Sequence, residues 1–159
     1  MNGPLQVRKQ NVSTSTTMTI LGLLGRTLFA KSAGLAFDKF VAGLRKRKLA
    51  QRIGEALTTS SDVADICGGQ PTVHVGEIGD LHLHDLLTAV LSDDEDAAGN
   101  YLIDEQLITL PDISRTLEQI DSARSLVSQV VRESISAIIG DDKQLQNELI
   151  LQTREQQKD

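Results

Sequence analysis

Between Asp112 and Ile139 the apolar residues Ile113, Leu117, Ile120, Val127, Val131, Ile135 and Ile138 recur with a step of about 3.5 residues, the spacing of a helix with one apolar side. Gly140 is the expected stop. A helix of that length cannot leave such a stripe in water, so it must pack against other elements. What those elements are is constrained by the scarcity of aromatics, 3% of the chain, with no Trp, one Tyr and three Phe. The core has to be built from Leu, Ile, Val and Ala, the residues of helix–helix packing, and 159 residues suffice for one such core. The expectation is an all-α fold, a single bundle of five to seven helices with little or no sheet.

The rest of the chain reads in the same way. Residues 1–17, with Gly3, Pro4 and the polar run Ser13 to Thr17, lack periodicity and read as a flexible N-terminal arm. The bundle domain is then 18–159. Met18 to Ala30 is the most apolar stretch, with Ile20, Leu24, Leu28 and Phe29, and is interrupted by Gly22 and Gly25. From Ala33 to Leu57 the residues Phe37, Phe40, Val41, Leu44, Leu49, Ile53 and Leu57 define a broad apolar helical face, broken by the block Arg45-Lys46-Arg47-Lys48. Ser61 should cap a short helix over Asp62 to Cys67, stopped by Gly68 and Gly69. Pro71 to Gly79 reads as an extended loop, with a short strand at Val73 and Val75 as the alternative. Asp80 should cap a helix running to Leu91. After the acidic break Ser92 to Asn100, Tyr101 to Leu110 reads as a short helix, with a strand as the lesser alternative, ended by Pro111. Lys143 to Gln157 is a last helix, and the polar end Arg154 to Asp159 is suited to lead into a further domain.

Charge is divided unevenly along this chain. Residues 1–60 hold ten Lys/Arg against two acids, a net of +8, and residues 61–159 hold six against twenty, a net of −14, within an overall −6. Such asymmetry either draws the two halves together inside one bundle or turns the basic segment toward something anionic. The overall acidity speaks against a dedicated nucleic-acid binder, which is usually basic throughout. The single cysteine, Cys67, excludes an internal disulfide, agrees with a cytoplasmic setting and reads as a small buried hydrophobe. The N-terminus makes a poor secretory signal, and no run of apolar residues reaches transmembrane length.

Two motifs invite a metal and fit poorly. His82 and His84 would converge on one ion from a strand, but two positions apart on a helix they diverge by about 200°. Asp94, Asp96, Gly99 and Glu105 match places one, three, six and twelve of a calcium loop, yet Ala98 stands where an oxygen ligand belongs. No phosphate-binding glycine loop, nucleophile elbow or zinc-protease helix motif occurs. The reading is therefore a non-enzymatic domain without catalytic residues, cofactor or metal.

What remains is an apolar segment followed by a basic cluster. An apolar face built on Ile20, Leu24, Leu28 and Phe29, beside Arg45, Lys46, Arg47 and Lys48, could meet an anionic membrane or a protein partner. The stretches Leu28-Phe29-Ala30-Lys31, Phe40-Val41 and Leu44-Arg45-Lys46-Arg47-Lys48-Leu49 resemble the opening of the helical domains that precede the NTPase in bacterial NACHT-type STAND proteins. The resemblance implies an effector or signalling module in antiphage defence or cell death, acting by self-association or membrane contact, in the cytoplasm or peripherally at a membrane. The alternative is a small adaptor, chaperone or inhibitor that docks its long C-terminal helix on a protein partner, with a degenerate calcium-binding protein behind both.

Overall fold

A computed structural model describes residues 34–147, with side chains from Phe37 onward. The described residues form an all-α bundle. Its elements are α1 (Gly34–Lys46), α2 (Leu49–Thr59), α3 (Ser61–Cys67), β1 (Thr72–Val73), α4 (Val75–Glu77), a π-helical stretch (Ile78–His82), α5 (Leu83–Val90), α6 (Ala97–Asp104), β2 (Ile108–Thr109) and α7 (Leu117–Asp141). Residues 143–147 begin another helical turn. The N-terminal arm and the segment carrying Ile20, Leu24, Leu28 and Phe29 lie outside the described residues.

The apolar face expected over Ala33 to Leu57 is shared by two helices. Phe37, Phe40, Val41 and Leu44 bury one side of α1, and Leu49, Ala50, Ile53 and Leu57 bury one side of α2. The break is short and tight, because Lys48 takes a left-handed conformation (φ 60°) and feeds directly into α2. Ser60, one residue earlier than expected, caps α3 by accepting from the Val63 amide at 3.2 Å. Gly68 (φ 77°) ends α3 in the left-handed region that glycine adopts without strain.

The Pro71–Gly79 stretch is not simply a loop. β1 and β2 pair antiparallel, Thr72 opposite Thr109 and Val73 opposite Ile108, and the His74 amide extends the ladder to the Leu107 carbonyl at 2.9 Å. The helix expected over Tyr101 to Leu110 lies further upstream, at Ala97–Asp104. It stops because Gln106 turns left-handed (φ 58°), sending Leu107 and Ile108 back into the core as a strand. Asp80 is not a helix cap; it sits inside the π-helical stretch, which begins right after α4. That wider turn lets Ile78 and Leu83, five residues apart, both face the core. It leaves Leu81 turned outward at 75% exposure.

α7 is the strut of the bundle. It starts at Leu117, not Asp112, behind a capping box in which the Thr116 hydroxyl accepts from the Gln119 amide at 3.1 Å and the Gln119 side chain accepts from the Thr116 amide at 2.8 Å. Ile113 and Leu117, expected on the inner face, are instead 48% and 81% exposed. The helix runs through Gly140 and ends at Asp141. Ala123, Val127, Val131, Ile135 and Ile138 carry its buried face. α2, α3 and α6 all pack against α7. The α6 contact is close because Gly99 has no side chain: its amide donates to the buried Ser128 hydroxyl at 2.6 Å.

Candidate functional site

The basic block does not act as four equivalent charges. Arg45, Lys46 and Lys48 are exposed at the α1–α2 turn, whereas Arg47 is half-buried. Arg47 folds back, donating to Asp142 at 2.6 Å and to the Gly43 carbonyl at 3.0 Å. The Arg47 guanidinium and the Leu145 amide, which donates to the same carboxylate at 2.9 Å, hold the Asp142 carboxyl below its ordinary range. Arg47 therefore ties the basic half of the chain to the acidic half at the end of α7. Arg45 reaches the Gly79 carbonyl at 3.2 Å and still keeps its charge at the surface. Among the described residues Lys46 and Lys48 form no ion pair. Their surroundings favour cations, since the C-terminal end of α1 points its carbonyls at this turn.

The histidine pair separates as helical spacing requires. His82 lies 2.7 Å from the Tyr101 hydroxyl on α6, and burial together with Asp85 and Glu105 pushes that phenol upward. His84 packs edge-on against Phe37 at 4.6 Å, with Asp38 at 3.6 Å. The two rings serve different helices and do not face one ion. Among the described residues no three His, Cys, Asp or Glu side chains gather into a metal-binding group.

The stretch that matches part of a calcium loop has its oxygens engaged elsewhere. Most of it is α6, a helix and not an ion-wrapping loop. Asp94 accepts from the Asp96 amide at 2.9 Å, and Asp96 accepts from the Ser125 hydroxyl at 2.9 Å. Cys67 is buried, and burial pushes its thiol up, outweighing the nearby charge of Arg115. The Arg115 guanidinium binds the Cys67 carbonyl at 2.8 Å and also the Pro111 carbonyl, pinning the loop before α7 to the end of α3.

One feature escaped the sequence. The loop before α6 and the outer side of α7 enclose an open cleft of about 360 Å³, lined by Glu95, Asp96, Ser125, Gln129, Arg132, Glu133 and Ser136. Ser136 is 9% exposed, and its hydroxyl has no hydrogen-bond partner; neither does the buried Nε of Arg132. Ser125, Gln129, Arg132 and Ser136 follow one another at helical spacing, so a polar stripe on α7 was legible in the sequence. That the 93–96 loop folds over it was not.

The fold and its surfaces define a small helical bundle with a basic turn and an acidic cleft. Comparison with known protein families, with curated proteins and with solved structures found no match to this chain. Among the described residues no helix is long and apolar enough to cross a membrane.

Proposed function

We propose that this domain is a non-enzymatic interaction module of the effector or adaptor type, working by contact with an anionic surface or with another protein chain. The role we propose for it is in antiphage defence or cell-death signalling, a reading supported by the resemblance of the Leu28–Leu49 region to NACHT-associated helical domains. The observation that carries the reading is the α1–α2 turn. Arg47 is anchored to Asp142, so the turn is held in place, while Arg45, Lys46 and Lys48 are presented outward on a domain that is otherwise acidic. A fixed cluster of three cations is suited to a lipid headgroup layer or an acidic protein face, each basic residue contributing about 1 kcal/mol near an anionic membrane. The rival adaptor reading, in which the long C-terminal helix docks on a partner, has less support, because α7 spends its apolar face on the bundle's own core.

Co-sedimentation with anionic vesicles tests the membrane arm. The right variant is Arg45→Ser/Lys46→Ser/Lys48→Ser, leaving Arg47 in place because its removal would strip Asp142 of its partner. Binding that falls with these three charges and with added salt supports a membrane-contacting effector. Absence of binding to vesicles at low salt sinks that arm and leaves protein–protein contact.

A further inference from the structure

The cleft beside α7 has no role in that reading, and its chemistry is specific. Glu95, Asp96 and Glu133 bring three carboxylates to it, Asp93 and Asp94 adjoin it, and Arg132 is the one cation in its lining. Such a site favours a cationic guest. Its wall also carries the buried, unpartnered hydroxyl of Ser136, whose oxygen can accept a hydrogen bond from a cationic guest. The complementary surface is on the same molecule, in the outward lysines of the α1–α2 turn. That turn lies off the end of the cleft of its own chain. Arg47 fixes it at Asp142, six residues beyond Ser136 and seventeen beyond Ser125, which is roughly 9–25 Å from the cleft's lining along the helix axis.

We propose that a second copy of this chain seats Lys46 and Lys48 in the acidic cleft between the 93–96 loop and α7. The two surfaces differ, so the contact is head-to-tail, and repetition builds a ring or a filament instead of a closed two-fold dimer. This deepens the interaction-module reading and rests on it, naming the partner as the chain itself and the cleft as the receiving half.

The test uses the whole 159-residue chain. Sedimentation velocity is run over a concentration series, at low salt and at about 0.5 M NaCl, where charge attraction is screened beyond a few Å. Concentration-dependent assembly that weakens at least ~tenfold in high salt is expected, as is a similar loss for Lys46→Ser/Lys48→Ser and for Glu95→Gln/Glu133→Gln. The decisive arm mixes these two variants. Each keeps one intact face, so the mixture should form a 1:1 heterodimer that grows no further, at concentrations where either variant alone stays monomeric. Zero-length cross-linking of isotopically labelled and unlabelled chains should join Lys46 or Lys48 of one to Glu95 or Glu133 of the other. A monomer at every concentration, an assembly indifferent to both variants, or cross-links to the cleft from within one chain only would each overturn the proposal. Vesicle binding does not enter this result, so a chain that assembles without binding lipid fails the membrane arm alone. One that does neither fails both.

Discussion

Gly99→Ala is the substitution for which the structure makes the sharpest demand. Gly99 sits in α6 where that helix presses on α7, and a Cβ there would overlap the Arg124 carbonyl oxygen, far inside van der Waals contact, and lie 2.9 Å from the Ser128 hydroxyl. The obstacle is backbone, so no side-chain rotation relieves it, and α6 must move away from α7. Overpacking of this kind costs about 1–3 kcal/mol. The same displacement stretches the buried Gly99–Ser128 hydrogen bond, which at 2.6 Å has no slack, at a further cost of about 1–3 kcal/mol. Alanine returns roughly 1 kcal/mol through its better helix propensity. The net destabilisation is about 1–5 kcal/mol, centred near 3 kcal/mol, a sizeable part of a typical domain's total, and corresponds to a fall in Tm of roughly 10 °C. Thermal unfolding followed by circular dichroism at 222 nm reads it directly. Gly76→Ala and Gly140→Ala are the controls, since a Cβ at either position meets nothing within 4 Å, and both should hold or raise Tm. If Gly99→Ala melts within about 2 °C of the parent, or if Gly140→Ala falls as far, then the close approach of α6 to α7 is not what the packing argument takes it to be.

Three further outcomes follow from the same structure. Thr116→Ala removes one half of the capping box at the start of α7 and should cost about 1 kcal/mol in urea unfolding; an unchanged midpoint would mean the cap is idle. Asp142 is held below its ordinary range by Arg47 and Leu145, so its contribution is present above the unfolded carboxyl's titration and is lost as pH falls through the folded one; Asp142→Asn should flatten that part of the acid limb of the stability–pH curve, and an identical limb would refute the link. Burial keeps the Cys67 thiol protonated, so at neutral pH it should react with a thiol reagent at least ~tenfold more slowly in the native chain than in denaturant, and equal rates would show the site to be open.

How far the fold could be read beforehand differs from element to element, and the differences have causes. The apolar spacing of Phe37 to Leu44 and of Val127 to Ile138 marked α1 and α7, because a helix that buries one face must repeat its apolar residues at the helical period. The short sheet was legible only as an alternative at Val73 and Val75, since two-residue strands carry no period of their own, and its pairing exists because the Gln106 turn brings Leu107 and Ile108 back beside Val73 and His74. The exposure of Ile113 and Leu117 was hidden for a related reason. Their spacing continues the stripe of α7, but Arg115 pins the preceding loop to the end of α3 and Thr116 starts the helix later than the pattern alone requires.

The candidate surfaces divide in the same way. Composition and residue order, which are local facts, already make this a helical, aromatic-poor chain with its positive charge gathered at Arg45 to Lys48 and its negative charge beyond. Folding alone pairs Arg47 with Asp142 and leaves its neighbours facing outward. It also lays the 93–96 loop over α7 to make a cleft. Both depend on residues distant in the chain being brought together, and no periodicity encodes which distant carboxylate a given arginine will meet.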